Sequence, residues 1–486
     1  MALQLSNTIK NYINGELIEP VGKKWLDNYN PATGEVYGQL PDSDEHDVNM
    51  AVSAAEEAFP AWSALSKLQR SDYLKKIADL ILANLDELAM AESIDNGKPY
   101  WLAKKVDIPR AAENFSFFST AILQWKDEAN HMDGNYVNYT LHQPLGAVAC
   151  ISPWNLPLYL FTWKIAPALV TGNCVVAKPS EITPMTAFLL SQICIQAGLP
   201  KGVLNIVHGL GTKAGDALIS HSNIQAISFT GGTKTGAYIA AKAAPIFKKL
   251  SLELGGKNPN IIFEDCDYDK MLSTTLRSSF ENQGQICLCG SRILVQRSIY
   301  EKFKTDFVAA VKALKVGDPL QDDSKMGAIV SKQHYEKIVS CIQLAEDEGG
   351  VILCGGSPLQ LDGRCAEGWF IAPTVIENLG PHCRTNQEEI FGPVVTLQAF
   401  DTEEEALALA NASSYGLAAT IWTTNMAKAN RMAAGVESGI IWLNCWLVRD
   451  LRTPFGGMKN SGVGREGGVH ALEFFTETKN ICIPLH

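Results

Sequence analysis

The feature that most constrains the fold of this chain is an alternation of short apolar runs with helical segments between residues 146 and 232. Strands that alternate with helices form parallel sheets, and such a sheet binds ligands beyond the carboxyl ends of its strands. The apolar runs, which end at Pro, Gly or polar residues, lie at 147–151, 174–177, 203–207 and 226–229. The pattern predicts an α/β domain whose ligand lies beside the loops at 152–155, 178–181, 209–211 and 230–232.

The rest of the chain extends this organisation. At 486 residues it is long enough for two or three domains. The second half repeats the alternation less regularly and predicts a second α/β domain, with strands at 260–263, 291–295 and 440–443. The N-terminal part predicts short strands around a turn at Asn14 and Gly15, then helices at 44–59, 69–93 and around 107–118. Two further segments, 135–142 and 474–483, are typical of strands.

Composition and charge exclude several classes of protein. Apolar residues make up 46% of the chain and charged residues 19%, as in globular enzymes. The net charge of -11 argues against a nucleic-acid surface. The N-terminus lacks the pattern of a secretion signal, and prolines interrupt the most apolar stretch, 146–172, so we expect no membrane contact. The 12 cysteines form no CxxC pair, so we expect no metal site, no disulfide framework and a cytoplasmic location.

Cys287 is the first candidate for a catalytic group. It follows the polar, glycine-containing segment 280–286, which can present a thiol to a small molecule. A free cysteine is more often a small buried residue, and Cys289 is an alternative nucleophile at this point. Glu253 lies in an apolar run before two glycines. A buried glutamate has a raised pKa and can accept a proton from water, although a structural ion pair would explain Glu253 equally well.

Lys178 and Glu181 follow a predicted strand, where one can donate to the hydroxyl groups of a ribose and the other can accept from them. Glycines recur at 209–215 and 231–236, without the GxGxxG spacing of a standard dinucleotide loop. The second segment follows a strand and opens a helix, so its free N–H groups can meet a pyrophosphate. Each signal is weak alone, since a surface ion pair or an ordinary glycine turn explains it.

Together these residues belong to motifs that resemble the aldehyde dehydrogenase superfamily over nearly the whole chain. The motifs are PWNLP from Pro153, KPSE from Lys178, FTGG from Phe229, LELGGKN from Leu252, NQGQIC from Asn282, EEIFGP from Glu388 and PFGGMKNSGVGREG from Pro454. The resemblance implies an α/β fold with two parallel-sheet domains and a small β oligomerisation element. It implies an NAD-binding domain at 1–122 and 145–255, a catalytic domain at 256–458, and an oligomerisation element at 123–144 and 459–486.

The resemblance also implies roles for individual residues. Cys287 matches the nucleophile and Glu253 the general base, while Asn155 matches the amide that forms the oxyanion hole with the Cys287 backbone N–H. Lys164 and Glu466 fall where the family has a proton-relay pair. The residues implied to bind the cofactor are Ile151, Ser152, Trp154, Lys178, Ser180, Glu181, Gly211, Gly215, Phe229, Thr230, Gly231, Gly232, Thr233, Leu254, Gly255, Glu389 and Phe391.

The implied cofactor is NAD, because Glu181 would repel the 2′-phosphate of NADP. One departure is that Gly232 stands where many members of the family have a phosphate-binding serine. In the implied reaction the thiolate adds to an aldehyde, hydride passes to the nicotinamide, and water activated by Glu253 hydrolyses the thioester. Strands near 135–142 and at the C-terminus extend between subunits in the family, which implies a homodimer or homotetramer.

Within the superfamily the chain most resembles the dehydrogenases of 2-aminomuconate and 2-hydroxymuconate semialdehyde, through residues 107–110, 152–158 and 444–452. A dicarboxylic semialdehyde needs a cation for its distal carboxylate, and arginine offers a bidentate fork. The candidates are Arg110 and either Arg449 or Arg452, unless these arginines form structural ion pairs. Two alternatives stay open: a broader aldehyde dehydrogenase, such as one for betaine or aliphatic aldehydes, and a non-catalytic relative retained for binding or structure.

Overall fold

The computed structural model describes Leu3 and residues 6–485. The strands of the described part are β1 Asn11–Ile13, β2 Glu16–Ile18, β3 Trp25–Asn30, β4 Glu35–Pro41, β5 Ala129–Met132, β6 Tyr136–Pro144, β7 Ala147–Ile151, β8 Cys174–Lys178, β9 Leu204–Ile206, β10 Ile224–Thr230, β11 Lys249–Glu253, β12 Pro259–Ile262, β13 Arg292–Gln296, β14 Val351–Cys354, β15 Pro358–Leu359, β16 Phe370–Ile371, β17 Thr374–Glu377, β18 Val394–Phe400, β19 Tyr415–Gly416, β20 Ala418–Trp422, β21 Ile440–Leu443, β22 Met458–Lys459, β23 Gly462–Val463 and β24 Thr476–Pro484.

The helices of the described part are α1 Glu45–Ser63, α2 Lys67–Ala83, α3 Leu85–Asn96, α4 Tyr100–Leu102, α5 Ile108–Gln124, α6 Pro157–Val170, α7 Met185–Ala197, α8 Asp216–Ser220, α9 Thr233–Ala243, α10 Tyr268–Phe280, α11 Arg297–Lys312, α12 Lys332–Asp347, α13 Arg384–Gln387, α14 Glu403–Asn411, α15 Met426–Gly435 and α16 Gly468–Phe474. Within the described residues no helix has both the length and the apolar composition that crossing a membrane requires.

The first sheet contains the predicted parallel strands. Its order is β2-β1-β9-β8-β7-β10-β11-β23. The five central strands, β9, β8, β7, β10 and β11, pair in parallel. Every residue of β7 and β8 is buried, as expected for strands covered on both faces. The four strands predicted between residues 146 and 232 are confirmed. The edges differ from the prediction because β1, β2 and β23 pair antiparallel.

The second sheet has the order β14-β17-β18-β13-β12-β20-β21 and is parallel except at β14. The sequence predicted only β12, β13 and β21 of its strands. It missed β14, β17, β18 and β20, because a short apolar run without a clear period is ambiguous until its neighbouring strands are known. The second α/β domain is nevertheless confirmed.

A separate three-stranded sheet has the order β24-β6-β5. β24 pairs antiparallel with β6 from Thr476 opposite Pro144 to Pro484 opposite Tyr136. The strands predicted near 135–142 and 474–483 are therefore present. The predicted domain boundaries stay a prediction, and β23, which lies within 459–486, pairs with β11 of the first sheet.

The helices near the N-terminus depart from the prediction at one point. A single helix was expected at 69–93, but α2 and α3 are separated at Asn84, whose φ of -116° and ψ of 32° lie outside the helical region. The Asn84 side chain donates to the carbonyl of Leu80 at 2.7 Å, which competes with the helical hydrogen bonds. Gly97 then ends α3 with a left-handed φ of 84°.

Asn173 joins the C-terminal segment to the first sheet. Its Oδ1 atom accepts from the backbone N–H groups of Leu145 at 2.7 Å and Gly146 at 3.1 Å. Its Nδ2 atom donates to the carbonyl of Phe475 at 2.7 Å, just before β24 begins. The side chain is fully buried, so these backbone groups have no access to water as a substitute.

Replacing Asn173 by Ala should lower the free energy of unfolding by about 2–4 kcal/mol, because several buried polar groups lose their partners at once. Urea denaturation followed by circular dichroism measures this change. Asn49, which is exposed on α1, supplies the control, and Asn49→Ala should change the free energy by less than about 0.5 kcal/mol. Equal effects of the two substitutions would contradict the role of Asn173.

Candidate active site

The loop after α10 presents Cys287. Asn282, Gln283 and Gly284 have consecutive φ values of 52°, 58° and 68°, so the chain turns sharply just before the cysteine. A Cβ atom on Gly284 would lie 2.3 Å from the carbonyl oxygen of Gly392, so only glycine fits. The Asn282 amide donates to the carbonyl of Asn155 at 3.0 Å and holds the turn against the first sheet. The local geometry thus depends on contacts far along the chain.

Cys287 lies between two cavities. The first has a volume of about 340 Å³ and an apolar wall that includes Leu102, Val106, Leu156, Leu160, Ile286 and Leu447. The second has a volume of about 250 Å³ and is lined by the carboxyl ends of the first sheet together with Glu389 and Phe391. Cys287, Thr230 and Leu254 line both. A thiol in this position can react with one molecule while a second lies on its other side.

The environment of Cys287 keeps its thiol protonated. Burial raises its pKa to about 12, and the nearby carboxylates of Glu389 and Glu253 act in the same direction, while Arg449 opposes them. The thiol therefore ionises only above neutral pH in this state. It needs a base or an added positive charge to become a nucleophile.

Cys289 is the less suitable of the two neighbouring thiols. It packs in an apolar cluster with Leu417 and Trp442, and it lines neither of the two cavities described above. Burial raises its pKa as well. Its carbonyl accepts from the Asn258 amide at 2.9 Å, which fixes the backbone behind Cys287. Geometry therefore separates two cysteines between which the local sequence did not decide.

Glu253 is the last residue of β11 and lines the first cavity. Neither of its carboxylate oxygens has a hydrogen-bond partner within the described part of the chain. Burial, with the nearby charge of Glu466, raises its pKa well above the ordinary value. A Cβ atom on Gly456 would lie 2.9 Å from Glu253 Oε1, so a glycine there leaves room for the carboxylate. Such a group can take a proton from water.

Asn155 follows β7 and is buried beside Cys287, in the wall of the second cavity. Its Nδ2 atom donates to the carbonyl of Gln285 at 3.0 Å, which leaves its second amide proton for another acceptor. The backbone carbonyl of Asn155 accepts from the side-chain amide of Asn282 at 3.0 Å and from Lys98 Nζ at 3.2 Å. The amide is therefore held in place before any substrate arrives.

Lys164 and Glu466 form the predicted pair. Lys164 Nζ lies 2.7 Å from Glu466 Oε1, and Ser228 Oγ donates to the same oxygen at 3.0 Å. The indole N–H of Trp163 donates to Glu466 Oε2 at 2.6 Å. Glu466 also lines the first cavity, where it raises the pKa of Glu253. These contacts form a hydrogen-bonded path from the cavity to the buried Lys164.

The predicted cofactor residues gather at one edge of the first sheet. Eight of them line the second cavity, namely Trp154, Thr230, Gly231, Gly232, Leu254, Gly255, Glu389 and Phe391. The other nine do not line it; they lie on or directly after β7, β8 and β10, in the turn before α8, or at the start of α9, and are Ile151, Ser152, Lys178, Ser180, Glu181, Gly211, Gly215, Phe229 and Thr233. Lys178 Nζ lies 3.2 Å from Glu181 Oε2, so the two expected ribose contacts are adjacent.

This edge suits a dinucleotide. Ser152 Oγ is buried without a hydrogen-bond partner among the described residues, which marks a polar position that a ligand can satisfy. Glu389 accepts from the N–H of Gly256 at 2.8 Å and approaches Gly255 so closely that a Cβ there would lie 2.5 Å from its carboxylate. α9 begins directly after Gly232, so its first N–H groups can meet a phosphate.

His334 also lines the second cavity and was not predicted from the sequence. Its Nε2 atom lies 2.7 Å from the carbonyl oxygen of Phe391, and a carbonyl can only accept, so Nε2 carries the proton. Burial lowers its pKa to about 4, which keeps the ring neutral. Its ring lies 4.9 Å from that of Trp154. His334 is on α12, outside every motif, so no local signal identified it.

The predicted substrate arginines separate into two groups. Arg110 and Arg449 line the first cavity, and Arg110 also forms an ion pair with Glu113 at 2.5 Å. Arg449 Nη1 donates to the hydroxyl of Tyr159 at 2.6 Å, and its guanidinium lies 4.0 Å from the ring centre of Phe455. Arg452 does not reach the cavity, because its exposed side chain forms a bidentate ion pair with Asp450. Of the two alternatives left by the sequence, the geometry favours Arg449.

Three charged residues of the first cavity had no predicted role, namely Asp107, which pairs with Lys98, and Arg277 and Glu281. Arg277 lies in the last turn of α10 and Glu281 directly follows this helix. The only sequence signal was their position just before the NQGQIC motif. Within the described residues no group of three or more metal-ligating side chains could hold a metal ion.

Comparison with known proteins agrees with this geometry. The model of the aldehyde dehydrogenase family matches residues 18–481, so the chain belongs to this family. A 2-aminomuconic semialdehyde dehydrogenase from Danio rerio is 50% identical over 98% of each chain. A 2-hydroxymuconic semialdehyde dehydrogenase from Pseudomonas sp. (strain CF600) is 45% identical over 98% of this chain and 99% of the relative.

A solved NAD⁺ complex of an aldehyde dehydrogenase from Bacillus cereus superimposes with a TM-score of 0.96 over 100% of both chains, at 37% identity. The chain is therefore an NAD-dependent aldehyde dehydrogenase. The expected fold and cofactor are confirmed. The reading as a non-catalytic relative has no support from these comparisons.

Replacing Gly232 by Ser should tighten NAD binding about two- to tenfold. Among the described residues no heavy atom lies within 4 Å of a Cβ at this position, and a serine there would cap α9 and offer a hydroxyl to a phosphate. Quenching of tryptophan fluorescence measures the dissociation constant. Gly231→Ser is the control, because its Cβ would lie 2.4 Å from Phe229 Cζ and should weaken binding. Weaker binding by both variants would contradict a phosphate position at Gly232.

Proposed function

We propose that this NAD-dependent aldehyde dehydrogenase oxidises a semialdehyde that carries a distal carboxylate, of the 2-aminomuconate or 2-hydroxymuconate 6-semialdehyde type, to the dicarboxylic acid. The observation that carries the proposal is Arg449 in the wall of the first cavity, beside Cys287. Within the described residues its guanidinium has no carboxylate partner within ion-pair distance, so its charge is available to a ligand. The relatives named above act on muconic semialdehydes according to their names.

The first cavity suits such a substrate in shape and charge. Its wall is mostly apolar and can enclose an unsaturated six-carbon chain. Arg110 lies on α5, and its guanidinium is within 5.8 Å of the ring centre of Tyr159. The guanidinium of Arg449 also lies 5.8 Å from the centre of this ring. Arg110 already forms an ion pair with Glu113, but the remaining N–H groups of its guanidinium can contact the carboxylate that Arg449 binds. The aldehyde of such a substrate would be directed towards Cys287.

In the proposed mechanism, Cys287 loses its proton to a base and its sulfur adds to the aldehyde carbon. The second amide proton of Asn155 and the backbone N–H of Cys287 stabilise the oxyanion, an interaction worth roughly 3–4 kcal/mol per donor in other enzymes. Residues of the second cavity such as Glu389 and Phe391 would hold NAD, which would supply the acceptor for the hydride that leaves this carbon. The carbon and the Cys287 sulfur then form a thioester.

Glu253 completes the proposed reaction. Its raised pKa lets it take a proton from a water molecule that attacks the thioester carbon, which releases the carboxylic acid and restores the thiol. Lys164 and Glu466 can pass the proton onward through their hydrogen bonds. The balance is one aldehyde, one NAD⁺ and one water to one carboxylate, one NADH and two protons.

We also infer a homodimer or homotetramer. The supporting observation is β24, a nine-residue strand at the edge of its sheet with mostly exposed side chains. An exposed edge of this length can pair with a second chain, and otherwise it is an aggregation risk.

Replacing Cys287 by Ala should lower NADH formation by roughly a thousandfold or more, because no other thiol can form the thioester in the cavity. The rate at which absorbance increases at the NADH band measures this loss of NADH formation. Cys289→Ala is the matched control and should retain NADH formation, since Cys289 lies behind the loop in the apolar cluster. The assignment would be overturned by undiminished NADH formation in the Cys287 variant.

Replacing Arg449 or Arg110 by Ala should lower kcat/KM for 2-hydroxymuconate 6-semialdehyde about 10- to 100-fold, because a charge-assisted hydrogen bond to the distal carboxylate is lost. The loss with hexanal, which has no carboxylate, should be much smaller. Arg452→Ala is the matched control, since this arginine is exposed and bound to Asp450. Equal losses on both substrates would rule out carboxylate recognition and favour an enzyme with broader specificity.

A further inference from the structure

Arg277 and Glu281 line the substrate cavity but have no part in the proposed chemistry. They are four residues apart, one in the last turn of α10 and the other at its end, so both project from the same short stretch of chain. Most of the other residues that line this cavity are apolar. Two charged groups in such a wall need a physical reason.

Arg277 is held against the wall. Its Nη2 atom donates to the backbone carbonyl of Trp446 at 3.1 Å, and its guanidinium lies 5.4 Å from the centre of the Trp446 indole ring. This geometry is typical of a cation–π contact. Arg277 is therefore a fixed positive charge beside Glu281, and it lowers the pKa of that carboxyl against the effect of burial.

Glu281 is an acceptor without a partner. Its carboxylate accepts no hydrogen bond and forms no ion pair within 4 Å in the described part of the chain, although the side chain is half-buried in the cavity wall. Burial raises its pKa to about 6, so above this pH it carries a negative charge. A partly desolvated carboxylate that lacks donors is stabilised by a ligand that supplies one.

The other carboxylates of this cavity are already engaged. Asp107 lies 2.5 Å from Lys98 Nζ, and Glu466 lies 2.7 Å from Lys164 Nζ. Glu253 is the proposed base for water. Among the carboxylates that line the cavity, Glu281 is thus the one left to contact the substrate chain away from its aldehyde.

We infer that Glu281 accepts a hydrogen bond from a hydroxyl or amino group on the carbon next to the distal carboxylate, so that the enzyme distinguishes 2-substituted semialdehydes from unsubstituted ones. The inference rests on the proposed function, because it requires the carboxylate to lie at Arg110 and Arg449. Glu281 lines the same cavity as these two arginines, so a substituent on the adjacent carbon can meet its carboxylate there. Glu281 is a specificity-determining residue, and Arg277 positions its charge.

The test compares two substrates that differ by one group. These are 2-hydroxymuconate 6-semialdehyde and 6-oxohexa-2,4-dienoate, which lacks only the 2-hydroxyl group. The wild type should favour the hydroxylated substrate in kcat/KM by about 10- to 100-fold, the range of a hydrogen bond to a charged acceptor. Glu281→Ala should reduce this ratio to near one. Glu281→Gln, which keeps an acceptor oxygen but loses the charge, should give an intermediate ratio.

Glu57→Ala, on the exposed face of α1, is the control and should keep the wild-type ratio. A fall in kcat/KM by the same factor on both substrates in Glu281→Ala would indicate a structural effect on the neighbouring loop and overturn the inference. An unchanged ratio would overturn it as well. If the wild type favours neither substrate over hexanal, the proposed function fails; if it favours both equally over hexanal, only the role of Glu281 fails.

Discussion

The hydrogen bonds between Asn155 and the loop that carries Cys287 are the interaction on which the site depends. Asn155 follows a strand of the first sheet, and residues 282–285 lead to the second sheet. The side-chain amide of Asn155 donates to the backbone carbonyl of Gln285 at 3.0 Å. The backbone carbonyl of Asn155 accepts from the side-chain amide of Asn282 at 3.0 Å. Because both partners are buried, neither sheet can shift without breaking these bonds. They set the thiol between the first and second cavities.

Buried charges reinforce this junction. Lys98 is fully buried and donates to the Asn155 carbonyl at 3.2 Å, while it pairs with Asp107 at 2.5 Å. A nearby carboxyl, Glu92, has its pKa raised to about 7 by burial. Buried ion pairs add little net stability, since the desolvation of both ions offsets their attraction. Removing one partner is costly, however, so the cluster holds the amide in one geometry rather than strengthening the fold in general.

Much of the fold followed from the sequence because the signals were local. Short apolar runs, each followed by a polar residue and then by Pro or Gly, identified β7 to β10. The break at Asn84 and the strands β14, β17, β18 and β20 were missed. In those places the outcome depends on side-chain competition or on neighbouring strands distant along the chain, which no local window contains.

The sequence by itself determined the chemistry, because the order of motifs such as NQGQIC and LELGGKN specifies a thiol, a carboxylate and a dinucleotide edge in one family. Tertiary structure decided which residues meet. Lys164 and Glu466, 302 positions apart, lie 2.7 Å from each other, and Arg449 enters the cavity while Arg452 turns to Asp450. Only the tertiary structure identified His334 and Glu281 as residues that line the cavities. The reason is physical: burial, a charge without a partner and the direction of a side chain arise from packing between distant segments, not from the residues beside them.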